Sequence, residues 1–341
     1  MNIHDYKDLY VLIEHEQGIL HDASIELLGE AKRLKEDRPG LQYQVVAVIL
    51  GTASQAMLHE LGQRGADEIL YLKNEALNTF STERHTQVLY EAIVERKPDI
   101  FLIPATVLGR DLAPRLAARC DTGLTADATK LAFDPDHEDS SLLLVTRPAF
   151  GGNLFGTIIN EDKRPQMTTI RPGVMDKWPK QEEHRCTITE KAVSLDHIPH
   201  EVHILEVLEK DHMAVDIAKA EIIISGGRGV GNGFHVLRTC AEMLGAEVAG
   251  SRAAVDEGRI DKAYQVGQTG KTVKPKVYIA CGISGAVQHL AGMEKSDYII
   301  AINKDPNAPI FQSANIGLVG DALEILPLLT EEIRNYRERP S

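Results

Sequence analysis

Short apolar runs separated by helical-period segments recur along the chain, and this alternation restricts the fold more than any other feature of its 341 residues. Leu9–Glu14 reads LYVLIE, Val45–Leu50 reads VVAVIL, Glu68–Leu72 reads EILYL and Ile100–Ile103 reads IFLI. Between them, Asp22–Leu34 places Ile25, Leu27, Leu28, Ala31 and Leu34 on roughly one helical face. Gln55–Gly62 and Thr86–Glu95 are the next helices. Strands spaced by helices imply crossovers, and so a mostly parallel sheet covered on both faces. Asp22 or Ser24 is the expected cap of the first helix. Residues 104–120 predict a turn and a helix, with Pro114 in a first turn or at a kink. Residues 142–159 and 166–175, punctuated by Pro and Gly, predict β-hairpins and an antiparallel end to the first domain.

The polar, Pro-bearing stretches Lys177–Glu183 and Asp196–His200 put a domain junction near 200–215. The expected domains are 1–205 and 206–341. In the second half the pattern restarts. Ala220–Ile224, Glu247–Gly250, Tyr264–Val266, Lys276–Ala280 and Tyr298–Asn303 predict strands. Phe234–Leu244, Gly285–Gly292 and Ala322–Arg337 predict helices. The expected fold class is therefore α/β, with two α/β domains built on mostly parallel sheets and no tandem repeat.

Bulk properties exclude some functions. The net charge of −13 and an aromatic content of 5% argue against a nucleic-acid reader, which needs basic faces and stacking rings. Cys120, Cys186, Cys240 and Cys281 form no C-x-x-C pair, so reduced thiols are expected and no metal cluster. The first residues, MNIHDYKDLYVLIEHE, lack an export signal, and no apolar stretch reaches the length of a membrane span. A cytoplasmic protein is expected.

Ligands of open α/β sheets bind at the carboxyl ends of strands. Five predicted strand ends in the second half carry glycine with polar or cationic residues. They are Ser225 to Gly231 with Arg228; Gly250-Ser251-Arg252; Gly267-Gln268-Thr269-Gly270-Lys271; Gly282-Ile283-Ser284-Gly285-Ala286; and Asn303-Lys304-Asp305. Glycines let backbone N–H groups approach a ligand, and a helix opening after Ser284 suits a pyrophosphate. Arginines neutralise phosphate or an anionic ring. Ser251, Gln268, Thr269 and His289 suit a heterocycle, and Asn303 with an Asp beyond it suits ribose and adenine. Together they describe a dinucleotide. GGRGVGNG is not a G-x-G-x-x-G, and GQTGKT lacks the upstream glycine of a Walker motif. An NAD-dependent oxidoreductase, with His289 as its one proton-transfer candidate, and a nucleotide-binding regulatory module remain open at this point. Arg110 and Asp111 are expected to pair locally, Arg147 to pin a hairpin and Cys281 to fill core space.

SGGRG, GSRAAVD, QVGQTGKTVKPKVYIACGISGAVQHLAGM and IIAINKDPNAPIFQSANIGLVGD resemble the carboxyl-terminal half of the electron transfer flavoprotein alpha-subunit family. ATVLGRDLAPRLAARCDTGLTAD and RPAFGGN resemble its amino-terminal domain. The resemblance implies FAD in a deoxyhypusine-synthase-like second domain that binds NAD or FAD. It implies a nucleotide-alpha-hydrolase-like first domain without hydrolytic activity, in contact with an electron transfer flavoprotein beta subunit as a heterodimer. It implies a carrier serving acyl-CoA dehydrogenase. In a bifurcating form it implies NADH as donor, ferredoxin or flavodoxin as acceptor, and a second flavin in the beta subunit. By the resemblance, Arg252 sits by the flavin ring and favours its anionic one-electron form. Thr269 bonds the central redox nitrogen and His289 faces the pyrimidine oxygen. Ser251 and Gln268 flank the ring, and Arg228 lies on the phosphate or ring side. Gly282, Ser284, Gly285, Ala286 and Gln288 hold the pyrophosphate, and Asn303 and Asp321 hold the adenosine. Two departures border the flavin face: the loop Val230-Gly231-Asn232-Gly233-Phe234, and Glu257-Gly258-Arg259 where relatives often carry Ala-Gly-aromatic.

Overall fold

A computed structural model describes residues 3–137, 139–149, 154–182, 185–198, 202 and 216–337. It divides into two units, Met1–Leu205 and Glu206–Ser341. The expected junction, 200–215, lies outside the described residues except for position 202, as do 150–153 of the RPAFGGN stretch.

In the first unit the strands are β1 (Leu9–Ile13), β2 (His15–Glu16), β3 (Ile19–Leu20), β4 (Val45–Gly51), β5 (Glu68–Lys73) and β6 (Ile100–Pro104). Then come β7 (Leu124–Ala128), β8 (Lys130–Phe133), β9 (Leu143–Ala149), β10 (Leu154–Ile158), β11 (Gln166–Ile170) and β12 (Thr187–Ala192). The helices are α1 (Asp22–Asp37), α2 (Gln55–Gln63), α3 (Thr82–Arg96) and α4 (Val107–Arg119). Seven strands form one parallel sheet in the order β12-β5-β4-β1-β6-β11-β7. Side chains alternate across it. Leu9, Val11 and Ile13 join α1 and α2 on one face, while Tyr10 and Leu12 join α3 and α4 on the other. Both faces are apolar, which is why the strands read as unbroken hydrophobic runs.

Four expectations change here. Within 142–159, β9 and β10 do pair antiparallel, but 166–175 form no hairpin. Their strand, β11, lies between β6 and β7 of the parallel sheet, with all five residues buried. Its polar side chains are satisfied internally. Gln166 Oε1 accepts from the Leu143 N–H and its Nε2 donates to the Ser141 carbonyl, both at 2.8 Å. Thr168 Oγ1 donates to the Thr125 carbonyl at 2.9 Å. Neither Asp22 nor Ser24 caps α1; the preceding residue is His21, and Ser24 Oγ accepts from the Glu14 N–H instead. Pro114 sits in the interior of α4, which removes the first-turn alternative and leaves the kink. Arg110 lies 3.7 Å from Asp127, whereas Asp111 accepts from the Thr82 hydroxyl.

In the second unit the strands are β13 (Ile222–Gly226), β14 (Glu247–Gly250), β15 (Val277–Cys281), β16 (Tyr298–Asn303) and β17 (Ile316–Val319). The helices are α5 (Phe234–Leu244), α6 (Arg252–Asp256), α7 (Val287–Leu290), α8 (Ile310–Ser313) and α9 (Ala322–Arg337). All strand pairs are parallel, in the order β14-β13-β15-β16-β17. The chain leaves β13 for one side of the sheet and then crosses to β15 on the other. That reversal is where crevices open in such sheets. The two faces are covered unequally. Leu237, Cys240 and Ala241 of α5, with Ala322 and Leu326 of α9, pack on one face. On the other, Tyr278 and Ala280 are covered by short segments carrying Val266, Val273, Ile283, Met293 and Ile310. Cys281 fills core space as expected, fully buried.

Tyr264–Val266 is not a strand. Lys262–Tyr264 is a 3-10 turn, and Gln265 and Val266 each make a single parallel bridge, to Gly250 and Lys271. The helix expected over Gly285–Gly292 shortens to the one turn of α7. Among the described residues no helix is long and apolar enough to cross a membrane. No group of three or more His, Cys, Asp or Glu among them is placed to hold a metal ion.

Candidate functional site

A cleft of about 660 Å³ opens above the carboxyl ends of β13, β14, β15 and β16. Its volume is within the roughly 300–1,000 Å³ of small-molecule and cofactor sites. Backbone packing builds its floor. Gly227 N–H donates to the Cys281 carbonyl at 2.8 Å, and Gly229 N–H to the Gly282 carbonyl at 3.1 Å. A β-carbon on Gly227 would lie 2.2 Å from the Gly282 carbonyl oxygen, so the loops after β13 and β15 touch main chain to main chain. Gly285 combines a φ of +87° with backbone contact to Ile310, which only glycine fits without strain.

The polar lining comes from five loops. Arg228 starts a 3-10 turn after β13; it is exposed and has no carboxylate partner among the described residues. Ser251 caps α6, accepting at Oγ from the Ala254 N–H at 3.4 Å. Arg252 opens α6 and points a solvated guanidinium at the cleft, with Nε 3.5 Å from Asp256. Gln268 and Thr269 are held by the bridge of Val266 and by a Gln268 N–H bond to the Gln288 carbonyl at 2.7 Å. Thr269 Oγ1 accepts from Gln265 Nε2 at 2.9 Å, which leaves its own hydrogen to donate elsewhere. Asn303 ties the end of β16 to the loop after β15, donating to the Ile283 carbonyl at 2.8 Å. Asp305 lines the cleft and accepts from the Asn307 N–H.

His289 is the buried polar group of this lining. Its Nε2 shares a 3.0 Å hydrogen bond with the Tyr278 hydroxyl, and its Nδ1 is buried without a partner. Burial pushes its pKa down to about 4, against a smaller upward pull from the Val266 carbonyl. The ring is therefore neutral at neutral pH and serves as a hydrogen-bonding group.

The cleft thus gathers Arg228, Ser251, Arg252, Gln268, Thr269, Gly282, Ile283, Ser284, Ala286, Gln288, His289, Asn303 and Asp305. Gly270, Gly285, Lys304 and Asp321 do not line it. Lys304 pairs with Asp321 at 2.7 Å, and Asp321 Oδ1 accepts from Leu323 N–H at the start of α9. Sequence reasoning omitted Gln265, Asp256, Ala308 and Pro309, which also line it. Asp256 was legible as the fourth residue after Arg252, a helical neighbour. Gln265 follows a 3-10 turn and carried no strand-end signal.

A family model described as the electron transfer flavoprotein domain matches residues 9–196, and one described as the electron transfer flavoprotein FAD-binding domain matches 216–294. The chain belongs to the electron transfer flavoprotein alpha-subunit family. Relatives of that family align along nearly its whole length. Protein FixB of Clostridium saccharobutylicum is 47% identical, covering 98% of each chain. An electron transfer flavoprotein subunit alpha of Clostridium acetobutylicum is 46% identical, covering 98% of this chain and 99% of the relative. An acryloyl-CoA reductase electron transfer subunit beta of Anaerotignum propionicum is 39% identical, covering 98% and 97%. The chain is an FAD-binding electron carrier, and the cleft lies largely within the part matched by the FAD-binding model.

Proposed function

We propose that the cleft above β13–β16 is the FAD site of this electron transfer flavoprotein alpha subunit. The observation that carries this reading is the convergence of four strand-end loops on a buried, unpartnered His289 Nδ1, with Arg228 and Arg252 at the rim. Bound FAD supplies reversible electron acceptance at its ring. The chain supplies orientation and field. Arg252 lies beside the ring, where a fixed positive charge favours added electron density. Thr269 and His289 donate to ring acceptors, flanked by Ser251 and Gln268. Ser284, Ala286 and Gln288 would hold the pyrophosphate through backbone N–H groups and side chains, while Gly282, whose own N–H donates to the Ile302 carbonyl at 2.8 Å, keeps that loop close to the one after β13. Arg228 neutralises the pyrophosphate, and Asn303 and Asp305 meet the adenosine end. Gly270, Gly285 and the Lys304–Asp321 pair shape these loops from behind the wall.

The boundary at 205/206 separates an amino-terminal unit that contacts a beta subunit from the FAD unit. The first unit is of nucleotide-alpha-hydrolase-like type and the second of deoxyhypusine-synthase-like type. Relatives named as subunits of electron transfer flavoproteins support the heterodimer. The relative named for acryloyl-CoA reductase supports a dehydrogenase acting on acyl-CoA as redox partner. The bifurcating form extends the scheme, with NADH as donor, ferredoxin or flavodoxin and an enoyl-CoA as acceptors, and a second flavin in the beta subunit. Four free cysteines support a cytoplasmic setting.

The test is co-purification with the beta subunit, with flavin counted per heterodimer in the wild type and in a Ser284→Trp variant that fills the cleft. Loss of one FAD per heterodimer is expected. Full retention would remove FAD from this cleft.

A further inference from the structure

Arg252 does not face the cleft alone. Asp256, four residues later, lines the same cleft, and its Oδ2 lies 3.5 Å from Nε of Arg252. The backbone of α6 fixes this arrangement. Ser251 caps the helix, the Val255 N–H donates to the Ser251 carbonyl at 3.1 Å, and Ala254 is buried in the core. Positions 252 and 256, one turn apart, then share the opposite side, which faces the cleft. Among the described residues neither side chain makes another ion pair. The pair does little for the helix. Both side chains are largely exposed, where an ion pair adds next to nothing to stability. The order is also the weaker one, with the cation at the positive amino end of α6 and the anion at its negative carboxyl end. The effect of the pair is on the field in the cleft. The charged groups of the lining are Arg228, Arg252, Asp256 and Asp305, with His289 neutral. Guanidiniums and carboxylates are equal in number, so the lining carries no net positive charge. The pull on an added electron then depends on how these charges are placed, and the carboxylate nearest Arg252 opposes it most directly.

We propose that Asp256 is the counter-charge of Arg252 and sets the reduction potential of the bound flavin by cancelling part of the positive field, so that the first electron is taken up less readily than beside an arginine alone. Its carboxylate meets the guanidinium at Nε and leaves the two terminal nitrogens to the cleft. The inference rests on the proposed FAD site and adds to it a residue with a function of its own, a brake on the pull of Arg252.

The experiment is a spectroelectrochemical titration of the FAD-loaded heterodimer, comparing wild type with Asp256→Asn, Asp256→Glu and Arg252→Ala at low and at high salt. Asp256→Asn keeps an acceptor for Nε and removes the charge. It is expected to raise the equilibrium constant for uptake of the first electron about tenfold, or about 59 mV, the scale of one unit charge several ångströms away in a partly screened site. Asp256→Glu restores the charge and is expected to stay near wild type. Thermal midpoints of both Asp256 variants are expected to match wild type, since the pair is exposed. The difference between Asp256→Asn and wild type should shrink as salt rises, because it comes from a solvated charge; a rearranged loop would give a difference that salt leaves alone. An unmoved or lowered potential in Asp256→Asn overturns the inference, as does an equal shift in Asp256→Glu or a shift that ignores salt. Failure of the FAD site reads differently. If Arg252→Ala moves the potential and Asp256→Asn does not, only the role of Asp256 falls; if neither moves it, the placement of the flavin ring beside Arg252 falls as well.

Discussion

Acid should destabilise the second unit through His289, and substitution of that one ring should remove a calculable part of the loss. The ordinary histidine pKa is 6.5, and burial holds His289 near 4, with the Val266 carbonyl opposing it weakly. The folded value lies below the unfolded one, and the group is a base. Above about pH 6.5 both states are neutral and the ring contributes no pH dependence. As pH falls below that value the unfolded ring takes up a proton that the folded ring refuses, so stability drops by about 1.4 kcal/mol for each step of one pH unit. The loss reaches about 2 kcal/mol near pH 5 and levels off at about 3 kcal/mol below pH 4. His85, also buried and also held near 4 by burial, imposes a loss of the same sign on the first unit. The measurement is therefore a difference. Wild type and His289→Asn are unfolded in urea near pH 7 and near pH 5, following the transition of the second unit. The variant should start less stable, having lost the bond to Tyr278, but should lose about 2 kcal/mol less on acidification. Equal losses in the two proteins would show that His289 is protonated in the folded state, and the neutral-ring argument would fall.

Arg252→Ala should lower accumulation of the one-electron-reduced cofactor in a stepwise reductive titration more than it lowers FAD retention, since the guanidinium is solvent-exposed and acts by its field; an unchanged titration would strip it of that role. Gly227→Ala should strain the loop by about 1–3 kcal/mol and release FAD, because the new carbon meets a carbonyl oxygen that belongs to the backbone and cannot swing aside. Thermal midpoint and flavin content read it, and a fully loaded, equally stable variant would contradict the close loop contact. Lys304→Met should leave both stability and FAD content essentially unchanged, because its partner Asp321 lies outside the cleft and the lysine is largely exposed. Colourless protein would return Lys304 to the site.

Strands buried on both faces were the most legible part of the fold. LYVLIE and VVAVIL could be little else, and Phe234–Leu244 and Tyr298–Asn303 matched their observed limits. β11 was misread because Gln166, Thr168 and Thr169 satisfy their polar groups within the fold, and a hydrophobicity pattern does not register buried hydrogen bonds. β17 was missed because Ile316–Val319 is an exposed edge, where side-chain burial imposes no pattern. The strand-end loops identified most of the cleft lining, because parallel topology forces them to one end of the sheet. What they could not give was which loop residues face inward. Asn303 lines the cleft while the adjacent Lys304 turns to Asp321, a choice made by the Asn303 bond to Ile283. Gln265 entered the lining through a bridge to Gly250, a tertiary contact with no local signature.

The main-chain contact of Gly227 with Gly282 limits how the pocket can adapt. Side chains around a pocket can re-choose rotamers to admit a bulkier guest, but two peptide units pressed together have no such freedom. The gap between these loops can widen only if β13 and β15 slide past each other and forfeit their shared ladder. The dimensions of the guest are therefore dictated here by the polypeptide itself, and any relaxed selectivity would have to arise at the open rim, around Arg228 and Arg252.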